Sequence, residues 1–252
     1  MNLIPSETDI KKIESIKGHL SRSEGLVLYN FARTLIGDAI IVEIGSFKGR
    51  STAWFATGVR DGGASAHITA VDHGIGDPEA GIEQTKDVLV GNLERLELSR
   101  FVSYIFKKSE EALSEWNSPI DILFIDAAHD FINVRKDFGY EKFLVDGGWI
   151  IFHDVLNPAE GPARVFREQI LTSPHFDSFG GADSILFARK LKSANRHTHI
   201  FQRRILRFLL GLWLFCTRKY SASRKRSFNK RVLRSVMKRI LRPIILSVAN
   251  NF

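Results

Sequence analysis

Short apolar runs alternate with helix-periodic stretches from Ala39 to Asp154. "AIIVEIG" (39–45), "HITAVD" (67–72), "FVSYIF" (101–106), "DILFID" (121–126) and "GWIIFHD" (148–154) read as strands. Most are apolar on both faces, as in a buried parallel sheet. "GRSTAWFATGVR", "EAGIEQTKDVLVGNLERLEL", "SEEALSEW" and "FINVRKDFGYEKFLV" lie between them and carry helical periodicity. "GPARVFREQILTS" predicts a further helix, and "HFDSFGGADSILFARK" predicts two strands around Gly180-Gly181. Residues 7–36 read as helical with a break near Ser21–Glu24. The pattern predicts an α/β fold: a Rossmann-like, doubly wound, mostly parallel sheet ending in an antiparallel hairpin. It divides the chain into an N-terminal helical cap (1–36), a sheet domain (37–190) and a helical C-terminal extension (191–252).

In such sheets ligands bind at the carboxyl ends of the strands, so the turns there carry the chemistry. The first turn lies in "VEIGSFKGRST" (42–52). It lacks the three glycines of a dinucleotide-binding turn and the Gly-Lys-Ser/Thr ending of a phosphate loop. Glu43 adds negative charge beside Gly45, which disfavours a pyrophosphate and favours a cationic amino group. Asp72, closing the second strand, is placed to accept hydrogen bonds from a ribose. A nucleoside with a charged amine and no phosphates describes S-adenosylmethionine. The bland alternative is that Gly45 and Gly49 only make a tight strand–helix joint.

The series E-x-G-x-x-x-G-x-S-T, an acidic end to strand two, "IDAAH" and "GGWIIFHD" resembles the class I S-adenosylmethionine-dependent methyltransferases. The likeness runs from about Ser21 to Lys190. It is greatest to the bacterial branch with cephalosporin-hydroxylase-like and sugar O-methyltransferases. It implies seven strands with the last antiparallel. It also implies that Glu43, Gly45, Ser46, Gly49 and Ser51 flank the methionine end of the cofactor. Asp72 and His73 then serve the ribose or adenine, and Ser109 and Glu110 the adenine, unless Ser109 merely caps a helix.

Metal-dependent relatives carry an acidic residue after strand four and an acidic pair after strand five. The resemblance therefore implies a divalent cation, magnesium or another, on Asp126, His153 and Asp154. His153 departs from the oxygen donors magnesium prefers. His129 stands where related enzymes have a lysine base and has a near-neutral intrinsic pKa. Asp126, His129 and His153 are thus the catalytic candidates, while Asp137 reads as a helix-surface or helix–loop residue. The turn "DAAHDF" lacks the Asp/Asn-Pro-Pro-aromatic pattern of many amino-group methylases. No cysteine lies near the cleft. Oxygen methylation, on a hydroxyl of a glycan or small metabolite, is the reaction that remains.

Charge changes the picture at the C-terminus. The net charge is +8. Residues 1–183 hold all 28 Asp and Glu but only 18 of the 36 Lys and Arg, a balance of −10. Residues 184–252 hold the other 18 cations and no carboxylate. The run Phe208–Cys216 is too short to span a bilayer, which takes about 20 residues. Val232, Leu233, Val236, Ile240 and Leu241 fall on one helical face, until Pro243 interrupts. This cationic amphipathic tail fits an anionic membrane surface and a lipid-linked glycan acceptor. Packing on the body or on a second copy, and nucleic-acid binding by an RNA methyltransferase, are the alternatives. A non-catalytic cofactor-binding scaffold is a third class, disfavoured by intact Glu43, Asp72, Asp126 and Asp154. The N-terminus shows no basic-then-apolar leader, and Cys216 is the only cysteine. A cytoplasmic protein, peripheral on the inner membrane face, is expected.

Overall fold

A computed structural model describes residues 4–76, 84–157, 160–194, 200–222 and 235–250. Seven strands form a sheet in the order β3-β2-β1-β4-β5-β7-β6. The chain divides into two compact units, residues 1–127 with 139–144, and residues 128–138 with 145–252.

The first unit holds the four parallel strands. β1 (Ile40–Ile44) lies between β2 (His67–Val71) and β4 (Ile120–Ile125), and β3 (Val102–Ile105) pairs with β2. Ile41, Val42, Ile44, Ile68, Ile122, Leu123 and Phe124 are buried, as runs apolar on both faces require. Two helices precede the sheet, α1 (Glu7–Glu14) and α2 (Arg22–Arg33). Ser21 and Glu24 close a reciprocal capping box that starts α2, at the break the sequence predicts. α2 packs against α3 (Arg50–Gly62), which follows β1. A Cβ on Gly25 would stand 2.2 Å from the Trp54 ring, so this approach requires glycine. α4 (Lys86–Arg95) and α5 (Ser109–Glu115) complete the unit. The start of the helix expected over 79–98 falls partly outside the described residues.

The second unit holds α6 (Phe131–Asp137), β5 (Leu144–Phe152), α7 (Glu160–Val165), β6 (Phe176–Ala182) and β7 (Ile185–Lys190). β7 runs antiparallel to both β5 and β6. Two expectations are corrected here. The helix expected over 131–145 ends at Asp137; a 3-10 segment, Phe138–Phe143, follows, and Leu144 already belongs to β5. Gly139 is a poor helix former, and Val145 suits a strand. The hairpin turns at Asp183-Ser184, not at Gly180-Gly181, which lie inside β6. Those glycines serve packing. A Cβ on Gly180 would meet the Phe187 ring at 2.3 Å, and one on Gly181 would meet the Ile185 carbonyl oxygen at 2.5 Å.

The described tail folds into the same unit. α8 (Ile200–Ala222) is followed, after residue 234, by a π-helical turn (Met237–Leu241) and α9 (Arg242–Asn250). Pro243 therefore does not end the helix. It follows the π-helical turn inside a continuous helical run, where the changed hydrogen-bond pattern accommodates its missing N–H. The expected single apolar face is also corrected: Leu241 is buried and Ile240 is exposed. Val232 and Leu233 lie outside the described residues. Asn250 bonds both ways with the Gly181 backbone, at 2.8 and 3.1 Å, and Gln202 donates to the carbonyls of Val248 and Ala249. Among the described residues no helix is long and apolar enough to cross a membrane.

Candidate functional site

The turn after β1 is built from three residues in the left-handed region. Gly45, Phe47 and Gly49 have φ of +92°, +48° and +87°. A Cβ on Gly45 would lie 2.6 Å from the Ala127 backbone and the Asp126 carbonyl oxygen, so the turn rests directly on the end of β4. A Cβ on Gly49 would strike Leu89 and Leu93 at 2.6 Å. The Asp72 carboxylate holds the turn from the next strand. Its Oδ2 accepts from the N–H of Ser46 at 3.0 Å and of Phe47 at 2.8 Å, and its Oδ1 accepts from Gly74 at 2.7 Å. Successive N–H groups of this kind make an anion nest. Here the nest is filled by the protein's own carboxylate, which accounts for the absence of a phosphate-loop sequence. About one lone pair of Asp72 remains for a further donor. His73 is exposed, and its Nδ1 accepts from the Ile75 N–H.

Glu43 lies beneath this turn with 0% of its surface exposed. Its Oε2 accepts from Ser46 Oγ at 2.9 Å and from Thr52 Oγ1 at 2.5 Å. Burial pushes its pKa up to about 7, the hydroxyls of Ser51, Thr52 and Ser46 draw it down, and the charge of Asp126 adds to the rise. Its Oε1 is buried without a hydrogen bond. Thr52, absent from the sequence-derived set, lies in the first turn of α3. The adjacent hydroxyls of Ser51 and Thr52 were the signal for it. Ser109 heads α5, with Lys108 as the N-cap residue, and its carbonyl accepts from Tyr140 Oη at 2.9 Å. Glu110 is exposed on the same first turn. The Asp126 N–H donates to the Ile44 carbonyl at 2.8 Å, which pins the end of β4 to that of β1.

In the second unit, Asp154 follows β5 with a φ of +57°. It gathers four side chains. Its Oδ2 lies 2.6 Å from His129 Nε2, and its Oδ1 lies 3.3 Å from His153 Nδ1. Asn157 Nδ2 and Ser184 Oγ also donate to Oδ1. Burial alone would raise the Asp154 pKa, but the hydrogen bonds and charge of His129 and His153 hold it well below the usual carboxylate range. Asp154 is 15% exposed, whereas the His129 ring is 53% exposed and open to a ligand. His153 is buried. Asp137 is buried too, at 2% exposure, and not on the helix surface. A charged residue late on a short helix reads as solvated, but α6 turns that position inward.

Asn157 escapes detection in the sequence, although Asp and Asn so close together are turn-forming residues. It links the Asp154 turn to the tail. The Trp213 indole N–H donates to the Asn157 carbonyl at 3.3 Å. Arg242 Nη2 donates to the Leu156 carbonyl at 3.3 Å and to Asn157 Oδ1 at 3.4 Å. Arg218 pairs with Glu160 at 2.5 Å. The tail's one tryptophan therefore faces the body, where a membrane anchor would face outward.

Comparison with known proteins finds a matching family model and similar folds. Residues 42–155 match the family described as a methyltransferase domain. Among solved structures, an O-methyltransferase from Bacillus cereus in complex with SAH is 21% identical, with a TM-score of 0.57 over 75% of this chain and 93% of that one. The O-methyltransferase TomG from Streptomyces achromogenes, involved in tomaymycin synthesis and solved with SAM, is 16% identical, with a TM-score of 0.57 over 75% and 91%. The SAH-bound methyltransferase PaMTH1 of Podospora anserina is 18% identical, with a TM-score of 0.56 over 75% and 89%. At such identities the likeness is one of fold. Residues 42–155 thus match a methyltransferase-domain model, and the seven-stranded sheet has the fold of these structures.

Proposed function

We propose that the protein transfers the methyl group of S-adenosylmethionine to a hydroxyl oxygen, with His129 as the base. The observation that carries this reading is the 2.6 Å pairing of His129 Nε2 with Asp154 Oδ2. An acid held that far into its charged form fixes the ring, favours the tautomer with the proton on Nε2, and stabilises the imidazolium once a second proton arrives. With Nε2 given to Asp154, the acceptor's hydroxyl proton goes to Nδ1. Asn157 and Ser184 keep Asp154 from turning away.

The first turn supports the choice of cofactor. Glu43 is a buried carboxylate met only by neutral hydroxyls, and an ammonium group would give it a charged donor. The nest at Ser46 and Phe47 is already filled, so no phosphate is provided for. Glu43 and Ser51 would hold the amino-acid end, and Asp72 and His73 the ribose. When bound, the donor supplies an electrophilic methyl on a sulfonium.

Metal assistance forms part of the same proposal. Asp126, His153 and Asp154 would supply two carboxylates and an imidazole, a set that suits manganese, iron or zinc better than magnesium. A bound cation would lower the acceptor's pKa and share the base's task. The acceptor is a glycan or small metabolite, and a lipid-linked glycan at a membrane surface fits residues 184–252, which hold eighteen Lys and Arg and no Asp or Glu.

The test is methyl transfer from labelled S-adenosylmethionine into a cell extract separated into lipid-linked glycan, small-molecule and RNA fractions. Label in a hydroxyl of the first two fractions, lost in His129→Ala, supports the reading. Label confined to RNA, or a His129→Ala rate equal to wild type, would overturn it. Chelation followed by add-back of manganese, zinc or magnesium decides the metal: an unchanged rate removes that part alone.

A further inference from the structure

α8 is apolar on two opposite sides. Leu206, Leu210, Trp213 and Leu214 are buried against the second unit. Phe201, Phe208, Leu212 and Phe215 are exposed, Phe208 by 66%. Positions 201, 208 and 215 repeat every seven residues, and 212 stands four after 208, so all four share one side of the helix. Arg204 and Arg207 are exposed along its flank. The same pairing recurs near α9, where exposed Ile240 and Ile244 lie four residues apart and Lys238 and Arg239 are exposed beside them. A helix that only braced the body would need one apolar stripe. Water penalises the exposure of the second.

We infer that the outer side of α8 is a docking surface for an anionic lipid bilayer. Charge and shape both choose that occupant. Residues 184–252 carry eighteen Lys and Arg with no Asp or Glu, so the region repels a second copy of itself and attracts anionic headgroups. Phenylalanine and leucine between flanking arginines match the boundary of acyl chain and headgroup, where rings insert and guanidinium groups bind phosphate. No described helix is long and apolar enough to cross, so the helix lies along the surface. The inner stripe stays packed on the protein, and docking requires no unfolding of the helix. The inference deepens the membrane part of the proposed function and needs neither the methyl donor nor the acceptor.

The experiment is flotation of the full-length protein with vesicles of phosphatidylcholine, with and without phosphatidylglycerol. The expected result is binding at least about tenfold stronger when phosphatidylglycerol is present. Phe201→Ser with Phe208→Ser lowers that binding by about tenfold or more, and Arg204→Gln with Arg207→Gln removes most of the preference for the anionic lipid. All four side chains are exposed, and a melting curve unchanged from wild type shows that the variants fold. Three results would each overturn the inference: equal flotation of wild type and the Phe variant, tighter binding to a single-stranded RNA probe than to the anionic vesicles, or a wild-type dimer that the Phe variant dissolves. The assay contains no methyl donor, so failure here leaves methyl transfer standing, and failure of methyl transfer leaves docking standing.

Discussion

Glu43, near the end of β1, and Asp154, just past the end of β5, are both largely buried carboxylates in a strand-end turn. Burial raises the pKa of each. Glu43 is met only by neutral hydroxyls, from Ser51, Thr52 and Ser46, and is left at about 7. Asp154 is met by two imidazoles and an amide, and is held far below the usual range. Hydroxyl dipoles offset only part of the desolvation, whereas imidazoles that can carry charge exceed it. The supports differ as well. The Glu43 turn is fastened by nearby Asp72, Thr52 and Ala127, all in the first unit. The Asp154 turn depends on Trp213 and Arg242, far along the chain. One carboxylate is poised to change charge near neutrality; the other is locked in the charged form to serve a base.

The most forceful way to break this contrast is Asp154→Asn. Asparagine tolerates a positive φ, so the turn survives while the charge on His129's partner is lost. The rate of methyl transfer should fall by about 10³-fold, or roughly 4 kcal/mol, with little change in cofactor affinity. Single-turnover kinetics and calorimetry with S-adenosylmethionine check both halves.

Gly45→Ala attacks the other turn through its backbone. A Cβ 2.6 Å from the Ala127 backbone, at a φ of +92°, cannot be relieved by a rotamer change. Destabilisation of about 3 kcal/mol in urea unfolding is expected, together with loss of cofactor binding.

Glu43→Gln sharpens the comparison through pH. The folded pKa of Glu43 is raised from the ordinary 4.5 to about 7. The folded state therefore binds a proton more tightly than the unfolded one between those values. The stability this contributes is fully present below 4.5 and is lost as pH rises through about 7. Glutamine mimics the protonated acid. The variant should match wild type near pH 5 and exceed it at pH 8 by on the order of 2 kcal/mol, read from urea midpoints.

The smallest effect is expected from Trp213→Phe, which keeps an aromatic side chain, removes one hydrogen bond to Asn157 and leaves a small void. A loss of about 1 kcal/mol and a few-fold fall in kcat are expected, with an unchanged Kd for the cofactor. A change in Kd alone would show that the tail acts on the first turn instead.

Much of this was legible in the chain. Strand–helix alternation marked the sheet, because parallel strands buried on both faces leave continuous apolar runs that end abruptly at polar groups. Those ends gave Glu43, Asp72, Asp126 and Asp154, and the spacing of Gly45 and Gly49 gave a turn without a phosphate cradle. Such features are local, and a few consecutive residues encode each. The glycines at 180–181 misled because a glycine read alone states that no Cβ is present, and not whether a turn or a neighbouring ring requires that.

Tertiary structure alone decided how these groups are used. Nothing in the order of residues tells that Asp72 fills the nest at Ser46 and Phe47, that Glu43 is sealed from water, or that His129 meets Asp154. Each depends on which segments fold together, and a charge's environment is set by all of them at once. The tail shows the same limit. A helix apolar on two opposite sides gives no direction to its periodicity, so only packing could turn Trp213 inward onto Asn157 and leave Phe208 in water.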